Sequence, residues 1–374
     1  MKYLSKLLDG VKVEWSTLGD ERFIEIANTG RRPVKASERI SGNVPYYGAN
    51  NIQDYVEGYT HDGVYVLIAE DGTASLENYS IQWATGKFWA NNHVHVLCGT
   101  DNLNSRFIFH YLQNVNFIPF LSGGDRAKLT KSKLVDIPIP IPCPDNPEKS
   151  LEIQKEIVRI LDTFTELTAE LTAELTARKK QYNYYMNSLL AFNNEVEWKP
   201  LATLADIGTG NSNTNEGLEI GDYPFFVRSQ EVRRKNEYQF DETAIITSGD
   251  GVGVGKIFHY IEGKYALHQR AYRIHITSNR LIPKFFFYYM KSSFLKYIEK
   301  NAVNSSVTSV RRPMMDKYLV PLPFLEEQER IVAILDKFDT LTTSISEGLP
   351  KEIEQRKKQY EYYRDMLLAF PMDN

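Results

Sequence analysis

Clusters of cations and side-chain amides are the residues of this chain whose types could do chemistry. The clearest lie in its second half: Arg228-Ser229-Gln230, Arg233-Arg234-Lys235, His268-Gln269-Arg270 and Arg311-Arg312. Guanidinium groups bind phosphates and pair bidentately with guanine, and amides pair with adenine, so the clusters suit a ligand that carries both phosphates and bases. Plainer alternatives stay open: a solvated charged loop at Arg228 to Lys235, a hydrogen-bonded core turn at His268, and a mobile surface loop before Arg311.

The first half of the chain carries a comparable set of residues. It consists of Arg31, Arg32, Lys35, Asn91, Asn92, His93, Arg126, Lys128 and Lys131. Both halves place an amide beside a histidine, which again suits adenine edges. The cations of Gly123 to Lys131 alternate with small and hydroxyl residues that let a loop approach a phosphate backbone, as Asn304 to Arg312 does in the second half. Because the two sets differ in their side chains, we predict that they recognise two different ligands of the same kind.

Catalytic chemistry is not indicated. Ser248 to Lys256 (SGDGVGVGK) suggests a nucleotide-binding loop, but it matches neither GxxxxGK[ST] nor a GxGxxG that opens a helix. It is better explained as a tight loop between two strands, with a nucleotide-dependent enzyme as the alternative. The sequence has no Asn/Asp-Pro-Pro-aromatic element and no His/Cys set with zinc spacing. We therefore predict that the chain is not an enzyme and binds neither a cofactor nor a metal.

An internal duplication must position these residues. Arg178 to Phe192 (RKKQYNYYMNSLLAF) and Arg356 to Phe370 (RKKQYEYYRDMLLAF) are identical at eleven of fifteen positions, and Glu152 to Thr168 resembles Glu326 to Thr342. Between the two motifs, the first copy has a TAEL tetrapeptide repeat, from Leu167 to Ala177, where the second has a longer, non-repetitive stretch. Two copies of one scaffold are typical of a protein that engages two halves of one ligand.

The repeated segments are helical in pattern. Apolar residues from Ile153 to Leu175 recur at spacings of three and four and predict a helix of roughly 40 residues, about 60 Å long. Its apolar stripe needs a partner, and we expect its own copy at 326–370 in a coiled-coil-like pair. The stripe Asp162, Glu166, Glu170 and Glu174 is a candidate docking surface for a basic partner. The triplets at 178–180 and 356–358 are either flanking charges of the helix pair or partner contacts, and the nearby tyrosines are expected in its core.

The segments before each helical copy are rich in strands and turns. Each opens on Val-Glu-Trp, at Val13 and at Val196, and each ends in alternating prolines, at 137–142 and 319–323, which predict a stiff extended connector. Val64 to Ala69 and Val94 to Leu97 are predicted strands, and Phe107 to Phe117 is a predicted short helix. Together with the helical copies, these segments predict an α+β fold with a pseudo-two-fold internal repeat.

Bulk composition narrows the function classes. The chain has 374 residues, a length that suggests two or three domains. Its two cysteines suggest that it has no disulfide framework, and its formal net charge is −4. No apolar run approaches the roughly 20 residues of a membrane span, and the first fifteen residues lack the apolar stretch of a signal peptide. We therefore expect a cytoplasmic protein without a membrane partner. The acidic balance argues mildly against a simple nucleic-acid binder, although local charge decides a contact.

The combination of these motifs resembles the specificity subunit of type I restriction–modification systems, in the subgroup with TAEL spacers. The resemblance rests on IVRILDTF with IVAILDKF, the paired RKKQY endings, the TAEL spacer, the proline connectors and the opening Val-Glu-Trp, and it covers essentially the whole chain. It implies two target recognition domains at 1–150 and 196–325, and two long antiparallel helical spacers at 151–195 and 326–374. Each domain would read one half of a split double-stranded DNA site.

The same resemblance implies partners. Two methyltransferase subunits, which would carry S-adenosylmethionine, would dock on the helices, and restriction/translocase subunits would join the complex. The family is understood to set the gap in its DNA site by TAEL copy number. An alternative from another class is a protein-interaction scaffold that dimerises through its helical repeats and has no DNA role.

Overall fold

The chain divides into two compact units. The computed structural model describes residues 10–123, 127–193, 195–301, 309–344 and 346–370. The first unit comprises Met1–Leu171 and Ile353–Asn374, and the second comprises Thr172–Glu352. Each unit therefore contains helical residues from both copies of the repeat, so the two units are not simply the first and second halves of the chain. Among the described residues, none of the helices is both long enough and apolar enough to cross a membrane.

The first unit begins with a mixed sheet and short helices. Its elements are β1 (Val13–Thr17), β2 (Ile24–Ile26), β3 (Ser41–Tyr47), β4 (Ile52–Val56), β5 (His61–Ala69), β6 (Ile81–Ala90), β7 (Val94–Gly99), α1 (Ser105–Leu112), α2 (Lys131–Leu134), β8 (Pro138–Pro142) and α3 (Pro147–Leu189). Six strands form one sheet in the order β2-β7-β5-β6-β3-β4. The strands predicted at Val64 to Ala69 and Val94 to Leu97 are confirmed as β5 and β7, and the predicted short helix is α1.

The second unit repeats this plan. Its elements are β9 (Glu197–Pro200), β10 (Ala205–Thr209), β11 (Tyr223–Phe226), β12 (Arg233–Lys235), β13 (Phe240–Ser248), β14 (Phe258–Leu267), β15 (Ala271–Ile276), α4 (Pro283–Asn301), α5 (Arg312–Lys317), β16 (Leu319–Leu322), α6 (Leu325–Thr343) and α7 (Leu349–Leu368), of which α7 lies mostly in the first unit. The six-stranded sheet has the order β10-β15-β13-β14-β11-β12, which is the order of the first sheet strand for strand. Two mixed sheets with long helices confirm the predicted α+β fold and its internal repeat.

The proline connectors are strands rather than simple links. In the first unit β8 pairs antiparallel with β1, and in the second β16 pairs antiparallel with β9. Prolines cannot donate hydrogen bonds, so their alternation leaves Ile139 and Ile141 to donate toward the partner strand while their side chains are fully buried. The opening Val-Glu-Trp and the closing prolines therefore join the two ends of each strand-rich segment.

The two helical copies differ in continuity. The first is one helix, α3, of 43 residues, which confirms the predicted length. The second copy, at 326–370, consists of two helices, because α6 ends at Thr343 and α7 starts at Leu349. Gly348 has a φ of +85°, and a Cβ there would lie 2.5 Å from the Thr340 carbonyl oxygen. Because only glycine fits such a turn, and Pro350 favours a new helix start, the non-repetitive stretch interrupts the helix.

Helix packing pairs each copy with the other inside each unit. In the first unit Ile157 and Leu161 of α3 share a buried core with Leu367 and Leu368 of α7. In the second unit the core includes Tyr182 and Leu190, from the end of α3 and just beyond it, with Ile331 and Leu335 of α6. The expectation that the copies pair with each other, with tyrosines at the contact, therefore agrees with the structure.

A buried polar network ties α1, α3 and α7 together in the first unit. The fully buried His110 lies 2.8 Å from Asp162 through Nε2 and 3.0 Å from the Tyr360 hydroxyl through Nδ1. Arg106 donates to the same carboxylate at 2.8 Å. Burial would raise the pKa of Asp162, but the hydrogen bonds from His110 and Arg106 outweigh it and lower that pKa. Asp162 is thus a structural anchor and does not belong to the predicted acidic docking stripe.

The second unit builds the equivalent network without a histidine. Tyr288 takes the place of His110 and donates to Asp336, while the Tyr182 hydroxyl donates to Asp339 at 3.2 Å. Burial lowers the pKa of His110, so the folded first unit holds a neutral imidazole where the unfolded chain binds a proton below about pH 6.5. The second unit has no titrating imidazole at that position.

Replacing His110 by tyrosine should therefore flatten the acid dependence of the first unit. As the pH falls from about 6.5 to the lowered folded pKa, the wild-type unfolding free energy should drop by at most about 1.4 kcal/mol per pH unit from this group, and H110Y should lose that slope. The charged or polar groups facing His110 are Arg106, Asp162, Tyr360 and Arg364, and buried His95 keeps a slope of its own. Hydrogen exchange against pH measures the change, and Y288H should add the slope to the second unit. Equal slopes in H110Y and wild type would contradict this account.

Candidate nucleic-acid interface

Four loop segments of the second unit meet in one cluster. They are the segments after β11, after β13 and between β14 and β15, together with Ser309 to Arg311 before α5. Backbone hydrogen bonds join them: His268 N–H donates to Phe226 O at 2.9 Å, Gly249 N–H to Arg270 O at 2.9 Å, and Val310 N–H to Gly249 O at 2.8 Å. We call this set the second-unit cluster. It gathers Arg228, Gln230, His268, Gln269, Arg270 and Arg311, which the sequence predicted as contacts from three separate places.

A single carboxylate organises the two arginines of this cluster. Asp250, in the glycine-rich loop, accepts from Arg228 Nη1 at 2.7 Å and from Arg270 Nη1 at 3.1 Å. Burial would raise the pKa of Asp250, but the two arginine hydrogen bonds outweigh it and lower the pKa, so the carboxylate stays ionised at neutral pH. Arg228, Asp250 and Arg233 line an open groove of about 440 Å³. The groove therefore presents guanidinium groups around one fixed anion.

The His268-Gln269-Arg270 turn divides into an inner and an outer part. His268 is buried, and its Nδ1 accepts from the Arg270 backbone N–H at 3.0 Å, so it shapes the turn. Burial lowers the pKa of His268, with nearby Arg228 contributing, which keeps the imidazole neutral. Gln269 is exposed and donates to Asn213 Oδ1 at 2.6 Å. The structure thus supports the core-turn alternative for His268, and it leaves Gln269 and Arg270 at the surface.

The basic strand β12 is mostly engaged within the second unit. Arg233 donates to Thr214 O at 2.9 Å, Arg234 to Gly221 O at 3.0 Å, and Lys235 to Glu216 at 2.7 Å. These side chains hold neighbouring loops in place. Gln230 is exposed and has no hydrogen-bond partner among the residues that the structure describes.

Two adjacent arginines precede and open α5. Arg312 is half exposed, donates to Asp316 at 2.6 Å and also to Ile207 O, so it braces the helix. Arg311 is the exposed N-cap residue, and its side chain has no partner within the described part of the chain. The predicted flexible stretch Asn304 to Thr308 lies outside the described residues. Arg311 is therefore the freer cation of the pair.

The first unit assembles the same four segments. Glu70 N–H donates to His93 O at 2.8 Å, Leu129 N–H to Glu70 O at 2.7 Å, and Asn91 N–H to Tyr47 O at 3.2 Å. Each bond has its counterpart in the second-unit cluster. An isolated antiparallel backbone β-bridge also joins Asp71 to Lys128, and an equivalent one joins Asp250 to Ser309. We call this set the first-unit cluster. The duplicated fold thus positions two surfaces by the same backbone scheme.

Side chains of the first-unit cluster differ from those of the second. His93 Nδ1 lies 2.6 Å from Asp71 Oδ1, so Asp71 holds an imidazole where Asp250 holds guanidinium groups. Asn91 is buried and its Oδ1 accepts from the His93 backbone N–H at 2.8 Å, which is the turn-shaping role of His268. Asn92 is exposed beside them. Of the predicted adenine-reading residues here, Asn92 and His93 lie at the surface, and Asn91 is turned inward.

Several predicted cations of the first unit belong to a semi-buried ionic network. Arg31 and Lys128 both pair with Glu70, Lys128 at 3.0 Å, and fully buried His95 lies 3.8 Å from the same carboxylate. Burial would raise the pKa of Glu70, but Arg31 and Lys128 outweigh it and lower that pKa. Arg31 also donates to Val94 O at 2.9 Å. Arg31 therefore locks the turn before β7, while Lys128 stays nearly half exposed.

The remaining predicted cations of the first unit are dispersed. Arg32 is exposed, and its carbonyl accepts from the Trp89 indole at 2.7 Å. Lys35 is exposed with Glu38 at 3.8 Å, and Lys131 is exposed at the first position of α2. Arg126 lies outside the described residues.

The acidic residues predicted to bind a partner lie on α3. Glu166 and Glu170 are exposed and have no ion-pair partner among the residues described, whereas Glu174 pairs with Arg178 at 3.3 Å. The boundary between the two units falls between Leu171 and Thr172, inside the tetrapeptide repeat. With Asp162 excluded, the acidic surface on α3 reduces to Glu166 and Glu170, plus a partly neutralised Glu174.

The two aspartates that organise the clusters were not predicted from the sequence. Asp71-Gly72 follows β5 and Asp250-Gly251 follows β13. These two strands hold the same central position in their sheets. This shared Asp-Gly pair is a repeat signal that alignment of the two halves could have found. The glycine-rich loop itself is a turn between β13 and β14 with no helix after it, as the sequence predicted. No group of three or more potential metal ligands occurs among the residues that the structure describes.

Comparisons with known proteins agree with this architecture. Residues 11–178 and 193–355 match the family described as the type I restriction modification DNA specificity domain. A putative type I restriction enzyme specificity subunit from Haemophilus influenzae is 46% identical, with 98% of each chain covered. The EcoR124I/EcoR124II specificity subunit of Escherichia coli is 36% identical over 99% of this chain and 98% of that one. The crystal structure of a type I restriction–modification S subunit from M. genitalium has the same fold, with a TM-score of 0.68 at 15% identity and 98% of both chains covered. This chain belongs to the family of type I restriction–modification DNA specificity subunits.

Proposed function

We propose that this chain reads a bipartite double-stranded DNA sequence, one half with each loop cluster. The observation that carries the proposal is the pairing of identical backbone schemes with different side chains. Asp71 with His93 stands in the first-unit cluster where Asp250 with two arginines stands in the second. Phosphate contacts position a protein on DNA, and base contacts supply sequence information, so two clusters of different chemistry fit two different half-sites. The scaffold alternative has no support from the relatives.

The helices complete the proposed role. We assign 1–150 and 196–325 as the two recognition domains and 151–195 and 326–374 as the helical spacers that set the half-site gap. Two methyltransferase subunits, which bring S-adenosylmethionine, dock on the spacers, and restriction/translocase subunits join them in the cytoplasm. The chain itself is non-catalytic in this proposal. Exposed Glu166 and Glu170 are the proposed contacts for a basic partner surface.

Arg311 should contribute a sequence-independent phosphate contact. R311A is expected to weaken binding to all duplexes alike and to reduce the slope of log affinity against log salt by about 0.9, because one released counterion is lost. Fluorescence anisotropy across a salt series measures both values. K337A, which removes one exposed charge on α6 outside the clusters, is the matched control and should leave the slope unchanged. A sequence-selective loss, or no change in the R311A slope, would contradict the phosphate assignment.

Reversing the charge of Glu166 and Glu170 should weaken partner assembly. The double variant E166K/E170K replaces two exposed anions by cations and is expected to lower affinity for the methyltransferase subunit at low salt, with the difference shrinking at high salt. Co-purification and calorimetry report the effect, and E174K, at a site already paired with Arg178, should have less effect. Undiminished complex formation by the double variant would rule out this docking surface.

A further inference from the structure

The two arginines of the second-unit cluster share one anion although they come from distant segments. Arg228 follows β11 and Arg270 lies in the turn between β14 and β15, and each gives one terminal nitrogen to a different oxygen of Asp250. Asp250 is about three-quarters buried, while Arg228 and Arg270 keep 40% and 63% of their side-chain surface exposed. The anion is therefore largely enclosed, and the cations reach outward from it.

The unused edge of each guanidinium has a defined geometry. Nη1 of both arginines is engaged, and the Nε–Nη2 edge of each has no hydrogen-bond partner among the described residues. That edge carries two parallel N–H donors, which is the arrangement that pairs with O6 and N7 of guanine in the major groove. Phosphate also accepts these donors in a bidentate pair, but phosphate contacts carry no sequence information, so sequence selectivity is the property that distinguishes the two acceptors.

Fixing the arginines in advance favours selective binding. A free arginine loses rotamer entropy when it binds, and this loss weakens affinity. Asp250 imposes much of that loss during folding, and it also leaves the trio with a net charge of +1. Its turn is itself held by the bonds from Gly249 to Arg270 and from Val310 to Gly249. The three charged groups thus form one preorganised unit beside the groove.

The first-unit cluster has the same anion with a different cation. Asp71 occupies the position of Asp250, and among the described residues its side chain hydrogen-bonds only to His93, because Ala49 stands where the second unit has Arg228. One imidazole offers at most two donors on opposite sides of its ring and lacks the bidentate fork of arginine. The two clusters are therefore built on one plan but differ in their capacity to read guanine.

We propose that Asp250 is a positioning residue that presents Arg228 and Arg270 as a paired guanine reader, so that the half-site read by the second unit contains guanine at the positions these arginines contact. The inference rests on the proposed function and adds the base class and the residue that sets it. It assigns the corresponding positioning role in the first unit to Asp71, with a base preference that is not guanine-directed.

The test uses the full chain in complex with its methyltransferase subunit. Binding is measured against duplexes that carry each base at each position of the methylated motif, for wild type, D250N and D71N. D250N keeps the shape of the side chain but loses its charge, and we expect discrimination for guanine in one half-site to fall about tenfold or more. D71N should leave that half-site unchanged and relax the other. R270A should affect the same guanine positions as D250N, which identifies the half-site that belongs to the second unit.

The outcomes separate this inference from the proposed function. If the wild-type complex recognises no motif, the proposed function fails. If a motif exists but the half-site sensitive to R270A lacks guanine, or if D250N discriminates as wild type does, the inference alone is overturned. R228A, with Asp250 intact, serves as a second variant and must relax guanine recognition by itself. If D250N loses affinity equally for all duplexes and R228A still discriminates guanine as wild type does, the aspartate is merely structural and the inference is overturned.

Discussion

Inserting one Thr-Ala-Glu-Leu unit after Leu175 should abolish modification of the wild-type DNA site and create a site with a longer gap. Four residues lengthen a helix by about 6 Å and turn its face by about 40°, against about 3.4 Å for each base pair. The gap should therefore grow by one or two base pairs while both half-sites stay the same. The structural basis is that α3 runs without a break through the repeat, and that the boundary between the two units falls inside it.

Sequencing of methylated DNA from cells that express each variant would reveal the new gap. The matched control exchanges the exposed Ala173 for glutamine, which changes the composition of the repeat at constant length and should leave the gap as it is. Altered half-site sequences with an unchanged gap would mean that α3 is not the spacer. The expected effect is large because, under the proposed function, a shift of about 6 Å exceeds the spacing of one base pair and would take one cluster off its half-site.

Truncating Leu368 should destabilise the first unit, although this residue lies near the C-terminus. Leu368 is 4% exposed in the core that contains Leu161 and Phe107, and its loss should reduce the unfolding free energy by about 2–5 kcal/mol. The equivalent Leu190 is 5% exposed in the second core, so L190A should destabilise the second unit by a similar amount. Hydrogen exchange resolved by segment distinguishes the two, since β5 reports on the first unit and β13 on the second.

Equivalent exposed positions in the two helical copies supply the controls for L368A and L190A. Tyr362 and Tyr184 are equivalent in the two copies and are 57% and 68% exposed. Their alanine variants should change stability by no more than about 0.5 kcal/mol. If L368A loosened β13 and spared β5, the interleaved packing of the two helical copies would be contradicted.

Much of the fold could be predicted because the sequence contains two copies of the same structural motifs. Matching motifs at Arg178 and Arg356 revealed the duplication, and the spacing of apolar residues revealed α3 over its full length. The break between α6 and α7 was missed, because it depends on a left-handed turn at Gly348 inside a stretch of weak periodicity. Pairing of the proline segments with the opening strands was also missed, since strand partners distant in sequence leave no local signal.

The candidate site was predictable in its residue types but not in their roles. Arg228 and Arg270 stood out as cations, yet their common partner Asp250 lay inside a loop that drew attention for its glycines. Arg31 and Asp162 looked like surface charges in the sequence, and folding places them in semi-buried networks with Glu70 and His110. A sequence shows which groups can bind an anion, but only the fold shows which of them an internal carboxylate already occupies.

Methylation mapping of the unaltered chain tests the central claim most directly. The chain would be expressed with its methyltransferase subunit in a host that lacks DNA methylation, and N6-methyladenine would then be located by sequencing. We expect one split motif with a fixed gap of about six or seven base pairs, because half-sites read from one face of the DNA have their centres about one helical turn apart. An intact complex that methylates no motif, or one that methylates a continuous motif without a gap, would contradict the reading of DNA by two separate clusters.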